Sequence, residues 1–170
     1  GNSIYSDNDL KKELTDKIGK KLTLDQIKDL AIKVQNKYHE AGYSIAKVTV
    51  PQQDFKPENP VKIIILEGKL GKVNILGNKN YNSKFITQSL SSSDIVSGKA
   101  FTLDALENTL ARINRQAGVK VVSVLRPGEG QGFSNIDIQV TEEPQLSAVL
   151  EVNNYGSKST GEYRAIPQID

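Results

Sequence analysis

The sequence predicts an α+β protein built from two tandem copies of one unit, strand–helix–helix–strand–strand, each with a three-stranded sheet backed by two helices. Three observations predict it. The first is an internal repeat: Gly19-Lys20-Lys21-Leu22-Thr23-Leu24-Asp25 returns as Gly98-Lys99-Ala100-Phe101-Thr102-Leu103-Asp104, 79 positions later. Val61 to Glu67 aligns with Ile136 to Glu142 at a shift of 75, and Gly1-Asn2 with Gly77-Asn78 at a shift of 76. The second is a change of apolar period within each copy, from about four residues to two. The third is the copy number: two repeats are too few for a solenoid, so tandem domains fit the spacing.

In the first copy, Asp7 is placed to cap a short helix with Leu10, Leu14 and Ile18 on one face, and Gly19 breaks it. Thr23 with Gln26 three residues on is a capping box that opens a second helix. Its stripe is Leu24, Ile27, Ala31, Val34, Tyr38 and Ala41, and Gly42 supplies the left-handed stop. An alternating run, Ser44 to Val50, ends at Pro51. Val61 to Leu66 is nearly all apolar, as expected of a strand covered on both sides.

The second copy begins with a strand, Leu70 to Leu76, in which Val73 and Ile75 alternate with polar neighbours. A short helix (Ser83 to Leu90) follows, then a helix with Leu103, Leu106, Leu110 and Ile113 on one face, ending at Gly118. Strands Val119 to Leu125 and Ile136 to Val140 flank a Gly-rich turn. By analogy the first copy should own a strand before Gly1 that this fragment lacks. The reading divides the chain into domains at 1–68 and 69–143 and a tail at 144–170. In the tail, Leu146, Ala148, Leu150 and Val152 alternate with Ser147, Val149, Glu151 and Asn153 before the turn at Asn154-Tyr155-Gly156-Ser157. This hairpin is either an ordinary soluble one or the first limb of an outer-membrane barrel. It is expected to pair with an open sheet edge, such as the one left by the missing strand.

Composition excludes much. There is no Cys and a single His, so disulfides, the usual zinc sites and His-based triads are out. A net charge of +2 gives no electrostatic argument for nucleic acid or an acidic membrane surface. No apolar run is long enough for a membrane-spanning helix. Gly128-Glu129-Gly130-Gln131-Gly132 lacks the Lys-Ser or Lys-Thr and the following helix of a phosphate loop, and is read as a hairpin turn. Glu142-Glu143 has no partner acid at a defined spacing, His39 reads as exposed or locally bonded, and no residue constellation supports an enzyme, a cofactor or a metal. Lys11, Lys12, Lys17, Lys20 and Lys21 are interleaved with Asp9, Glu13 and Asp16, the usual pattern of a solvated helix.

Several stretches, taken in order, carry a family likeness. Tyr38-His39-Glu40-Ala41-Gly42-Tyr43-Ser44-Ile45-Ala46 with Val50-Pro51-Gln52-Gln53 resembles the first POTRA domain of the two-partner secretion transporters, the haemolysin and filamentous-haemagglutinin exporters. Leu66-Glu67-Gly68-Lys69-Leu70 resembles the junction between that family's two POTRA domains. Leu125-Arg126-Pro127-Gly128 with Gly132 resembles the turn of its second domain, and Asn153-Asn154-Tyr155-Gly156-Ser157 with Thr160-Gly161 the start of its barrel. Two stretches depart: Ile113-Asn114-Arg115-Gln116-Ala117-Gly118 stands where Leu-Asn-Asp-Leu-Pro-Gly is common, and Asn153 where Asp is usual.

The resemblance implies the periplasmic module of an outer-membrane transporter, whose polypeptide client is the N-terminal secretion domain of a large exoprotein. It implies no cofactor, no nucleic acid, and membrane contact only through the barrel. The alternatives are POTRA domains of a barrel-assembly or surface-protein transporter and, more distantly, a KH-like RNA-binding module. The last would need a Gly-x-x-Gly loop between its helices, whereas Gly68-Lys69-Leu70-Gly71 joins two strands.

In such folds the last strand is central and the strand after the second helix is an edge, open to strand addition by an extended client. The candidate partner-binding residues are therefore Val119, Lys120, Val121, Val122, Ser123, Val124 and Leu125, with Ser44, Ile45 and Lys47 in the first domain. Proline at Val121 or Val124 is expected to abolish client binding with the fold intact. Glu67, Gly68 and Leu70 are expected to fix the interdomain angle, Gly68 for backbone freedom.

Overall fold

The computed structural model describes residues 2–54, 59–143, 148–154 and 163–169. The first domain opens with α1 (Asp7–Glu13), a 3-10 turn (Thr15–Lys17) and α2 (Leu24–Glu40), followed by the short strands β1 (Lys47–Thr49) and β2 (Ile64–Leu66). The second runs β3 (Lys69–Leu76), α3 (Ser83–Ser91), α4 (Leu103–Ile113), β4 (Val119–Pro127) and β5 (Phe133–Glu142). A hairpin, β6 (Ala148–Asn153) and β7 (Arg164–Ile169), completes the chain.

The second sheet has the order β3-β5-β4, with β5 parallel to β3 and antiparallel to β4. The last strand is central and β4 is an edge, as the family resemblance implies. Ile136, Ile138 and Val140 on β5 join Val119 and Val121 on β4, Leu70 on β3 and the apolar faces of α3 and α4 in one core. The first core is smaller: Leu10, Ala31, Val34, Tyr38, Ala46 and Val48 are its buried members. The capping box at Thr23 and Gln26 is formed, and Gly42 takes φ +88° beyond the end of α2.

Five expectations need correction. Ser6, not Asp7, caps α1, because its hydroxyl accepts the Asp9 N–H while Asp7 already lies in the first turn. Ile18 leaves the apolar stripe of α1, since the helix ends at Glu13 and the 3-10 turn rotates Ile18 outward. Leu24 and Ala41, at the two ends of the α2 stripe, are exposed, beyond the reach of a sheet of such short strands. Val61 to Leu66 pairs only over Ile64–Leu66, and Val61 and Ile64 are exposed, because the first sheet has two strands among the described residues. The tail hairpin joins neither domain sheet, as β6 and β7 form a separate two-stranded sheet.

The repeat is also built into the hydrogen bonding. At the end of β2, the Glu67 carboxylate accepts from the N–H groups of Ser3 (2.6 Å) and Ile4 (2.9 Å) and from the Ser3 hydroxyl (2.5 Å). At the end of β5, Glu142 accepts from the N–H groups of Lys79 (2.6 Å), Asn80 (2.8 Å) and Tyr81 (2.8 Å). Asn2 Nδ2 donates to the Tyr5 carbonyl, and Asn78 Nδ2 to that of Tyr81. Each domain thus fastens the loop before its first helix with one terminal carboxylate.

Candidate functional site

Strand parity decides which backbone groups of an edge face outward. In an antiparallel pair, alternate residues turn their N–H and C=O away from the partner. On β4, Asn114 identifies the outward set: its Oδ1 accepts the Val121 N–H at 2.6 Å and its Nδ2 donates to the Val121 carbonyl at 3.0 Å. Val119, Val121, Ser123 and Leu125 therefore face outward through their backbones. Lys120, Val122 and Val124 are bound into the ladder with β5. Val121 is already occupied. Pro127 shares the outward parity but has no N–H, and closes the far end. The open stretch is Ser123 to Leu125.

This corrects the proposed proline test. At Val121 the N–H belongs to Asn114, and at Val124 a proline would remove a bond of the sheet itself. The candidate side chains also divide. Val119 and Val121 are buried under the helices, while Lys120, Val122 and Val124 are exposed on the opposite face. Lys120 pairs with Glu143 at 2.9 Å.

The distal half of β4 is held in place by a buried carboxylate. Asp137 on β5 accepts from Asn74 Nδ2 on β3 (2.7 Å) and from Arg126 Nε on β4 (2.5 Å). The Asn74 bond first, then Arg126, hold the Asp137 carboxyl below the usual carboxylate range. All three strands are thereby tied together beside Ser123 and Leu125 by side chains as well as by the backbone ladder.

The edge in the first domain is short and partly occupied. Ser44 and Ile45 lie in a turn before β1, where the Ala46 N–H bonds to the Tyr43 carbonyl, so neither belongs to a strand. Ile45 instead packs against the core of the second domain. Only Lys47 of the three candidates is on β1, with its side chain exposed. Helix α2 takes part of this edge: Gln35 Oε1 accepts the Val48 N–H at 3.0 Å, and just before the strand His39 Nε2 lies 2.9 Å from the Ala46 carbonyl. His39 is thus locally bonded.

Gln35 and Asn114 are 79 positions apart, the shift of the helical repeat, so both copies cap the edge strand with an amide from the same helical position. Three residues of β1 leave nothing beyond the cap, whereas nine residues of β4 do. Sequence reasoning missed both amides, although Asn114 sits inside a quoted motif; the repeat offset was the signal. Asn114→Ala is expected to cost about 2 kcal/mol, because it strips the partners of two backbone groups at a buried residue; urea unfolding measures the loss.

At the joint, Glu67 is only 3% exposed, and Tyr38 donates its hydroxyl to the same carboxylate at 3.2 Å. Burial alone would raise the Glu67 pKa. The Ser3, Ile4 and Tyr38 donors together outweigh it, and the net shift is downward. Burial first, and then the Glu67 charge, push the Tyr38 phenol well above its ordinary value. Gly68 follows at φ +73°, and a Cβ there would come within 2.8 Å of the Ile45 Cβ, so no larger residue fits without strain. Leu70 is buried in the second core, and the Lys69 N–H bonds to the Gly132 carbonyl at 2.7 Å. Among the described residues, no cluster of His, Asp and Glu could hold a metal ion, and no helix is long and apolar enough to cross a membrane.

Comparison with known proteins places this architecture. Residues 1–68 match the model of the POTRA domain, ShlB-type. Over 147 residues, 86% of the chain, the sequence is 29% identical to the heme/hemopexin transporter protein HuxB of Haemophilus influenzae. It is 26% identical to the outer membrane transporter CdiB of Dickeya dadantii over 82% of the chain. The chain spans about a quarter of the length of these relatives, 26% of HuxB and 24% of CdiB. Among solved structures, CdiB from Escherichia coli superposes with a TM-score of 0.73 at 19% identity, covering 96% of this chain and 30% of that one. The N-terminal domain of Omp85 from Thermosynechococcus elongatus gives 0.71 at 18% identity, covering 85% and 63%. These two likenesses speak for the fold. Residues 1–68 thus match a POTRA domain of the ShlB type, in a chain similar over most of its length to the transporters HuxB and CdiB.

Proposed function

We propose that this chain is the periplasmic recognition module of an outer-membrane two-partner secretion transporter, with its two domains divided at residues 68 and 69. It binds the unfolded N-terminal secretion domain of a large exoprotein and delivers it to a barrel pore. The observation that carries the reading is the open stretch Ser123 to Leu125, closed at one end by Asn114 and at the other by Pro127. An extended client adds there as a short strand. Backbone bonds give sequence-tolerant affinity, and the flanking Val122 and Val124 give apolar contact. Two or three residues of edge suit weak, reversible capture, as a receptor that must release its client requires.

The tail is read as the start of the barrel. In its register Leu150 and Val152 share an apolar face with Ala165, while the other, mixed face carries Glu151, Asn153 and Arg164 beside Val149 and Ile166. Leu150 and Val152 are 64% and 62% exposed, as suits side chains that meet lipid once the barrel closes.

The test is a pull-down of this chain with the N-terminal secretion domain of a large exoprotein, taken from the gene beside its own where that gene encodes one. Retention of that domain, and not of unfolded outer-membrane barrel proteins, supports the reading. The reverse pattern would favour a barrel-assembly chaperone.

A further inference from the structure

The connection between the helices of the first domain is a tight turn with an apolar corner. The Lys20 N–H bonds to the Lys17 carbonyl at 3.2 Å, Ile18 has φ −66° and ψ 132°, and Gly19 has φ +77°. These are the dihedrals of a type II turn, which needs glycine at its third position and sets the second at the outer corner. Ile18 is 59% exposed there, and Leu24, opening α2, is 48% exposed.

Lys17, Lys20 and Lys21 surround this corner, all exposed, and none forms an ion pair among the described residues. The acids interleaved with them in the sequence are mostly engaged elsewhere. Asp9 accepts from the Ser6 hydroxyl and pairs with Lys12; Glu13 pairs with Lys37 at 2.7 Å and Lys33 at 3.7 Å; Asp25 pairs with Lys28 at 3.5 Å. Asp16 is the carboxylate left nearby. The tip is therefore locally cationic on a chain that is almost neutral overall.

The second copy provides an internal control. Its equivalent turn, closed by the Lys99 N–H on the Val96 carbonyl, is docked on β3 through the backbones of Gly98, Lys99 and Leu70. Val96, Ser97 and Lys99 nevertheless remain exposed. A strand lying beside such a turn leaves its corner uncovered. Ser97 stands where the first copy has Ile18, and its hydroxyl donates to the Gly71 carbonyl at 2.6 Å; an isoleucine has no such use.

We propose that the Lys17–Leu24 tip docks on an anionic phospholipid surface, with Ile18 and Leu24 entering the headgroup boundary and Lys17, Lys20 and Lys21 attracted to lipid phosphates. A convex corner offers no groove or strand edge to a polypeptide, whereas a planar charged surface needs neither. The tip begins α2, whose far end lies at the joint: a Cβ on Gly42 would touch Thr102 of the second domain at 3.3 Å. Lipid contact would thus pin the end of the first domain remote from the second.

Vesicle flotation of the 170-residue chain tests this, with phosphatidylglycerol–phosphatidylethanolamine vesicles against phosphatidylcholine vesicles, at low and high salt. Binding to the anionic vesicles alone is expected, weakening with salt. Lys17→Gln, Lys20→Gln and Lys21→Gln together should lower affinity roughly a hundredfold. Ile18→Ser should lower it roughly tenfold. The residues are exposed, so circular-dichroism melting curves should not move. Equal binding to both vesicle types, or undiminished binding of the triple variant, would overturn the proposal. So would an absence of vesicle binding, whether or not the same lysines capture polyglutamate.

Discussion

Replacing Ser123 or Leu125 with proline is expected to remove client capture and leave the second domain folded. Both N–H groups face away from β5, so no bond of the sheet is lost, and proline is tolerated on an edge strand in that orientation. The chain already places Pro127 in the same parity. Stability should fall by about 1 kcal/mol or less, as for other surface substitutions. Client affinity should fall at least roughly tenfold, since a donor is replaced by a ring that holds the incoming strand away. Val124→Pro is the matched control: its N–H lies in the β4–β5 ladder, and the sheet should unfold. Calorimetric titration with the secretion domain, beside thermal unfolding of each variant, separates the two effects.

The second large effect is expected at Glu67. Removing its carboxylate leaves the Ser3 and Ile4 N–H groups and the Tyr38 hydroxyl without their acceptor, in a domain with a small core. Glu67→Ala should destabilise the first domain by about 3 kcal/mol. In urea it should then unfold ahead of the second domain. Glu142, the counterpart in the second copy, is more exposed and backed by a larger core, so Glu142→Ala should cost less.

The acid response carries the same signature. The folded pKa of Glu67 lies below its ordinary value of 4.5. Its contribution is therefore complete above that pH and is lost as pH falls through the folded pKa. Glu67→Gln should flatten this part of the acid unfolding curve. At the alkaline end, the raised pKa of Tyr38 works in the opposite sense: stability is complete below pH 10 and declines above it.

How much was legible in the sequence follows from where the determinants lie. Helix α4 and β3 were readable because caps, glycine stops and periodicity agree with the final packing there, whereas the β3-β5-β4 order was implied only by the family resemblance. The first domain was overread at Ser44 to Val50 and at Val61 to Leu66. Local alternation cannot report that Gln35 and His39 of α2 meet the Val48 N–H and the Ala46 carbonyl, since those groups come together only in three dimensions. For the same reason the edge at Val119 to Leu125 was located but not its open part, since Asn114 reaches it from the end of α4. Ile18 fits a helical stripe by spacing alone. The 3-10 turn and Gly19 turn it outward.

Hydrogen exchange of the backbone amides on β4, followed by NMR with and without the exoprotein's N-terminal secretion domain, tests the central claim most directly. Strand addition predicts that Ser123 and Leu125 slow on binding, while Val121, already held by Asn114, changes little. Client binding with unchanged exchange at Ser123 and Leu125, and new protection on another surface, would contradict it.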